Sequence, residues 1–167
     1  MTTKAKIAPC LWFDKNAEEA ARFYAGLFPD SRIDHVHKSS VDWPAGKAGE
    51  TILVDFTLLG QSYQALNGGA NESGKFNQSV SLAVTCKDQA EVDRYWAALT
   101  SDGGEPIMCG WLKDRYGLRW QIVPEIMIDM MMDKNTEKSK RAMEAMMQMV
   151  KLDIGRLKAA FEGKAAA

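Results

Sequence analysis

The chemistry available to this chain starts with a pair of amides. Gln64 and Gln121 stand in matching tetrapeptides, Tyr63-Gln64-Ala65-Leu66 and Trp120-Gln121-Ile122-Val123. A primary amide offers two donors and an acceptor, so two of them in equivalent strands could clamp a polar ligand, or each could satisfy a neighbouring backbone group. Only two histidines exist, His35 and His37. At i and i+2 on a strand they face the same way, but no third ligand is spaced nearby to complete a metal site, and a partly exposed edge strand without special chemistry is expected. Cys109 lies beside Trp111 and could attack a substrate only with a base to form its thiolate. No such base is assigned, and a buried packing cysteine is expected, with Cys10 and Cys86 as core-strand residues. Trp43, next to Pro44 in a polar loop, should cover something, either as a cavity lid or as a dimer contact. Asp114 and Gly117 read as hairpin makers, glycine supplying a positive φ and aspartate a side-chain hydrogen bond.

The elements that position these residues are written twice. Arg22-Phe23-Tyr24-Ala25-Gly26-Leu27-Phe28 is answered 72 residues later by Arg94-Tyr95-Trp96-Ala97-Ala98-Leu99-Thr100. Each copy opens with a capping-box pattern, Asn16 with Glu19 and Asp88 with Glu91. Each carries an apolar stripe at helical spacing: Ala20, Tyr24, Leu27 and Phe28, then Val92, Tyr95, Trp96 and Leu99. A short strand-forming run precedes each helix, Ile7 to Phe13 and Val80 to Cys86. The first half continues with strands over Arg32 to Lys38, Glu50 to Leu59 and Ser62 to Leu66, and the second with Pro106 to Leu112 and Leu118 to Val123. The glutamines are 57 residues apart rather than 72, so the first half holds extra chain, and Ser39 to Gly49 reads as the inserted loop.

Strand, helix and about three strands, repeated, imply an α+β fold. Two tandem βαβββ modules, about 6–68 and 78–124, would form a curved mixed sheet around a cavity, with 1–124 as one domain. Alternation places Ala8, Cys10 and Trp12 on one face of the first strand, Ser79, Ser81 and Ala83 on the fifth, and Arg119 with Gln121 on the last. With Cys109 and Trp111, these line the expected cavity. Residues 125–167 form a helical extension that contains eight of the ten methionines. Met143, Met146, Met147 and Val150, then Ile154, Leu157 and Phe161, form a stripe expected to pack on the repeat domain or on a second subunit, making a homodimer.

Composition narrows the partners. A chain of 167 residues can bury about 70% of its unfolded surface without a disulfide or metal staple. Hydrophobic residues are 46% and charged residues 26%, with a net charge of -1, an ordinary globular balance without the basic excess a phosphate backbone requires. Nucleic acid is not an expected partner. The apolar runs fall short of the ~20 residues that span a bilayer, no signal peptide is evident, and three cysteines without a CxxC pairing suit a reducing, cytoplasmic address.

At motif level the chain resembles the PhnB-like branch of the vicinal oxygen chelate superfamily, which includes glyoxalases and bleomycin-resistance proteins. The resemblance rests on Leu11-Trp12-Phe13-Asp14, Ala17-Glu18-Glu19-Ala20, Phe23-Tyr24, Leu27-Phe28-Pro29-Asp30-Ser31, Asp42-Trp43-Pro44 and Leu66-Asn67-Gly68-Gly69. It continues in Cys109-Gly110-Trp111-Leu112-Lys113-Asp114, Gly117 and Trp120-Gln121-Ile122-Val123-Pro124. The resemblance implies the paired-module fold and, in the superfamily's enzymes, a metal held on the first and last strands of each module. Those positions match Ala8, Gln64, Ser79 and Gln121, none of them ionisable, so no metal centre and no cofactor are expected. Branch members often carry the label 3-demethylubiquinone-9 3-methyltransferase. The turn after the first strand, Asp14-Lys15-Asn16, lacks the glycines that a doubly wound S-adenosylmethionine site uses. Three classes follow: a metal-free binder of a small polar or aromatic metabolite, a superfamily enzyme (lyase, dioxygenase or transferase), or a dimeric interaction module with a vestigial cavity.

Overall fold

The computed structural model describes residues 6–70 and 76–164. The chain divides into two compact units, Met1–Lys75 and Phe76–Ala167. The first runs β1 (Cys10–Phe13), α1 (Ala17–Leu27), β2 (Arg32–Lys38), β3 (Thr51–Leu58) and β4 (Gln61–Asn67). Its sheet has the order β1-β4-β3-β2, with β1 parallel to β4 and the other neighbours antiparallel. Alternation sends Leu11, Phe13, Val54, Phe56, Tyr63 and Ala65 into the core with Ala17, Ala20, Ala21 and Tyr24 of the helix. Cys10, Trp12, Asp55 and Gln64 are left on the other face. The inserted loop lies where expected, between β2 and β3.

The second unit repeats the plan with β5 (Leu82–Cys86), α2 (Gln89–Thr100), β6 (Glu105–Pro106), β7 (Trp111–Lys113) and β8 (Arg119–Pro124), in the order β5-β8-β7-β6. The fold is therefore α+β with two tandem βαβββ modules, each an open four-stranded mixed sheet. All four residues of the expected helix stripe are buried, Val92, Tyr95, Trp96 and Leu99.

Three local expectations need correction. The strand expected over Pro106 to Leu112 is two short strands, because the chain turns between them with Cys109 at φ 61° and Gly110 at φ 80°. A Cβ on Gly110 would run into the Ile122 carbonyl and the Leu152 side chain, so only glycine lets β7 approach that closely. Capping boxes were expected on both helices, but only α2 caps itself: Asp88 Oδ1 accepts from the Glu91 amide at 2.9 Å and Glu91 Oε2 from the Lys87 amide at 3.0 Å. The Asn16 side chain makes no cap bond. Instead Asn67, at the end of β4, accepts from the Ala17 amide at 2.9 Å and donates to the Thr51 carbonyl at 2.9 Å. Module one thus ties its helix start to its sheet with one buried amide.

The third correction concerns the extension, which is three helices, α3 (Glu125–Met131), α4 (Thr136–Met147) and α5 (Ile154–Phe161). It packs on module two. Met127, Met130, Ala142, Met149, Leu152 and Leu157 form a buried cluster against which Val123 of β8 rests. The Cys109 and Gly110 amides donate to the Met149 and Val150 carbonyls at 2.7 and 2.8 Å. Gln89 of α2 donates to the Leu152 carbonyl and accepts from the Ile154 amide. Those bonds need a non-helical strap at 148–153, so the expected stripe breaks there and leaves Met147 and Val150 exposed. The alanine-rich end lies outside the described residues.

Candidate functional site

On the open face of module one, strand register assembles a chain of polar side chains. Gln64 on β4 stands between Cys10 on β1 and Asp55 on β3. Its Nε2 donates to Asp55 Oδ1 at 2.8 Å, and Asp55 Oδ2 meets His37 Nε2 at 2.7 Å. An irregularity in the β2–β3 pairing between Ile33 and His35 sets His35 opposite Asp55 and leaves Asp34 without a partner in the ladder. The two imidazoles meet edge to face with centroids 4.2 Å apart. Asp34 ion-pairs with Arg32 Nε at 2.8 Å and accepts from the Thr57 hydroxyl at 2.6 Å. These groups line an open cleft of about 900 Å³, whose rim includes Lys6 and Ala8. Tyr63 also borders it, and burial pushes its phenol pKa up. A carboxylate that accepts from an amide on one oxygen and an imidazole on the other is fixed in place, and so is the imidazole.

The histidines were expected on an edge strand without special chemistry. β2 is an edge strand, but His37 is bound to a carboxylate.

Other singled-out residues of this module stabilise the fold. The Trp12 indole lies over Gly68, where a Cβ would overlap the ring, and donates to the Gly69 carbonyl at 2.8 Å. Trp43 closes a tight turn with Gly46 through paired backbone bonds of 3.0 and 3.1 Å, covers Gly46 with its ring, and donates Nε1 to the Asn67 carbonyl at 3.2 Å. The Leu-Trp-Phe, Asp-Trp-Pro and Leu-Asn-Gly-Gly motifs are therefore one assembly, with two indoles clamping the exit of β4. Cys10 is exposed, which corrects its assignment to the core. The protein around its sulfur still raises the thiol pKa, so it is a poor source of thiolate. Cys86 is buried, and desolvation with the nearby Glu91 and Asp88 charges pushes its thiol to about 12.

Module two has the same strand positions with different occupants. Gln121 stands between Ala83 on β5 and Trp111 on β7, and its Nε2 donates to the Ser81 hydroxyl at 2.8 Å. Both glutamines therefore bond to a side chain, not to a neighbouring backbone group. Arg119 is opposite Lys113, whose ammonium pairs with Glu105; that bond holds the Glu105 carboxyl below its ordinary pKa. Ser79 is exposed in a local turn with Asn77. Cys109 is half-buried at the turn before β7, and its backbone amide bonds to the extension. Asp114 and Gly117 build the hairpin as expected. Gly117 has φ 92°, and the buried Asp114 carboxylate accepts from the Tyr116 and Leu118 amides and from Trp120 Nε1 at 2.8–3.0 Å.

The four positions matched to a metal set do not fit one. Ala8 has no donor atom, Ser79 faces solvent, and the two amides make hydrogen bonds within their own modules. Neutral amide oxygens without imidazole or carboxylate hold a divalent transition metal weakly. Among the described residues no group of three or more His, Cys, Asp or Glu is placed to hold a metal ion, and no helix is long and apolar enough to cross a membrane.

Asp55 is the functional candidate that sequence reading passed over. Its signal was an acidic residue interrupting the strand Ile52-Leu53-Val54-Asp55-Phe56, on the face opposite Val54 and Phe56.

Comparison with known proteins is consistent with this geometry. The family model described as 3-demethylubiquinone-9 3-methyltransferase matches residues 5–123. A PhnB protein from Bacillus cereus, described with the same activity, is 35% identical; the match covers 72% of this chain and 99% of that one with a TM-score of 0.65. A Pseudomonas aeruginosa protein is 21% identical over 73% of this chain and 98% of its own, with a TM-score of 0.59, and shares the fold. No curated protein matches.

Proposed function

This chain belongs to the 3-demethylubiquinone-9 3-methyltransferase family, the PhnB-like branch of the vicinal oxygen chelate superfamily, and we propose that it binds a small polar or aromatic metabolite without a metal centre. The observation that supports this most is the Gln64–Asp55–His37 chain along a cleft of about 900 Å³. Where a chelating relative would present ligands to a metal, this module presents oriented donors and acceptors to an organic molecule. A largely polar lining broken by Ile7, Ala8, Phe56 and Tyr63 suits such a ligand, and Gln121 with Ser81 offers a second polar spot on the other module.

The methyl transfer in the family description draws no support from this geometry. A mixed four-stranded sheet with Asp14-Lys15-Asn16 after β1 offers no glycine turn for S-adenosylmethionine of the doubly wound kind. The same proposal takes the chain as a homodimer joined through the exposed methionines of the extension. Met132 is 79% exposed, with Met131, Met147 and Val150 also open, and apolar side chains of this kind on a surface favour association.

A thermal-shift screen of small polar and aromatic metabolites, with divalent metals in parallel, tests the binding. A ligand that binds only the native state raises the Tm. A metabolite is expected to raise it in the parent and not in Gln64→Ala. Stabilisation by Zn, Ni or Mn alone would overturn the proposal.

A further inference from the structure

The hydrogen-bond chain in module one has a direction, and it ends in an unused lone pair. An ionised carboxylate can only accept, so the 2.7 Å contact between Asp55 and His37 Nε2 places the imidazole proton on Nε2. The neutral ring then carries its lone pair on Nδ1, which has no hydrogen-bond partner among the described residues. Gln64 fixes the far side of the carboxylate, and the His35 ring packs edge-on against His37, so tautomer and ring plane are both set. This is the arrangement of a base, its orienting acid and a brace, beside a cleft large enough for a substrate.

We propose that His37 is a general base, with Asp55 and Gln64 as its positioning residues, that removes a proton from a small carbon acid bound in the module-one cleft. The proposal rests on that cleft being the ligand site. The substrate C–H bond breaks and its electron pair stays on the substrate as a carbanion or enolate. The proton goes to Nδ1, and Asp55 faces the resulting imidazolium. Delivery of that proton to a different atom of the enolate gives an isomer and restores the neutral imidazole, so the step balances without an oxidant or second reactant. Arg32, which pairs with Asp34 through Nε, and Lys6 at the rim are the cations of the lining. The substrate class is thus a small carbon acid with polar substituents, matching a lining in which two cations stand beside two carboxylates.

The test uses the full chain and 5-nitrobenzisoxazole, a carbon acid that needs only a base. Loss of its C3 proton forms the nitrile as the N–O bond breaks, releasing a coloured cyanophenolate. The parent should exceed His37→Gln by about 10²-fold, the lower end for a positioned base. Asp55→Asn should fall toward His37→Gln while the His35→Ala rate stays well above it. His37→Gln retains an amide that can donate to Asp55, so the face should stay folded. The parent rate should rise with pH, as expected of a step that needs a free base. Arg32, Asp34 and His35 on β2, Asp55 on β3, Tyr63 on β4, Cys10 on β1 and Lys6 before it are the other charged or titratable groups around the cleft. Nitrogen-15 spectra of the neutral ring should show His37 protonated on Nε2, and Asp55→Asn should abolish that preference.

Equal rates for the parent and His37→Gln, or a proton on Nδ1, would overturn the proposal. Base catalysis without any metabolite raising the Tm would support the base and count against the binding proposal. A metabolite shift without base catalysis would do the reverse.

Discussion

Modules one and two have one topology and two chemistries. In both, a glutamine sits in the last strand between the first strand and the third, and its amide donates to a side chain on the open face. In module one the neighbour on the third strand is Asp55, and a histidine lies beyond it. In module two the same register position holds Trp111, and the polar partner is a serine on the chain leading into the first strand. The two modules therefore share what the fold requires, an apolar helix face packed on one side of the sheet, and differ on their open faces. The modules also differ in how they close: module one borrows an asparagine from β4 to start its helix and makes its last hairpin with Leu59 held in the left-handed region beside Gly60. Module two caps its own helix and builds that hairpin on a buried aspartate.

The largest expected difference lies in the hairpins. Asp114→Ala in module two removes the acceptor for two amides and the Trp120 indole, and should destabilise the chain by about 3 kcal/mol or more in denaturant unfolding. The module-one hairpin turns through positive φ values of 47° and 80° at Leu59 and Gly60, and the Ser31 hydroxyl accepts from the Leu59 amide at 3.0 Å, so Ser31→Ala, which removes one acceptor rather than three, should cost less.

The helix starts come next. Asn67→Ala should cost about 2 kcal/mol, since it orphans both the Ala17 amide and the Thr51 carbonyl. Asp88→Ala should cost about 1 kcal/mol and Asn16→Ala almost nothing. Equal costs for Asn16 and Asp88 would erase the contrast between the two caps.

A smaller gain is expected at the module-one hairpin. Leu59→Asn replaces a β-turn residue that resists the left-handed region with one that tolerates it, and should raise stability by about 0.5–1 kcal/mol.

The smallest effect is electrostatic. The Thr51 hydroxyl, then Arg22, hold the Glu18 carboxyl below its ordinary pKa. A depressed folded pKa means that the stabilisation is present above the unfolded value and lost as pH falls through the folded one. Thr51→Val should therefore reduce stability slightly at neutral pH, with the difference from the parent shrinking in acid unfolding experiments.

What the sequence revealed and what it hid follow the distance over which each feature is coded. The duplicated helices, the inserted loop and the Asp114 hairpin were legible because each is written in a few consecutive residues at a recognisable spacing. The Gln64–Asp55–His37 chain was not, since its members are 9 and 18 residues apart and only the pairing register brings them together. The asparagine cap, 50 residues from its helix, was hidden for the same reason, and Asn16 offered a local pattern that tertiary structure overrode. The expected strand over Pro106 to Leu112 and the expected helical stripe of the extension failed together. The turn at Cys109 and Gly110 and the strap at Met149 and Val150 bond to each other, a requirement that neither segment shows alone.

The most direct test of the central claim is a proton–nitrogen resonance titration of the full chain, first with Zn²⁺ and then with a metabolite found by thermal shift. Zn²⁺ should leave the spectrum unchanged, whereas the metabolite should move His35, His37, Asp55 and Gln64 and lose that effect in His37→Gln. Stoichiometric Zn²⁺ shifts at Gln64 and Gln121, abolished when both become alanine, would contradict it.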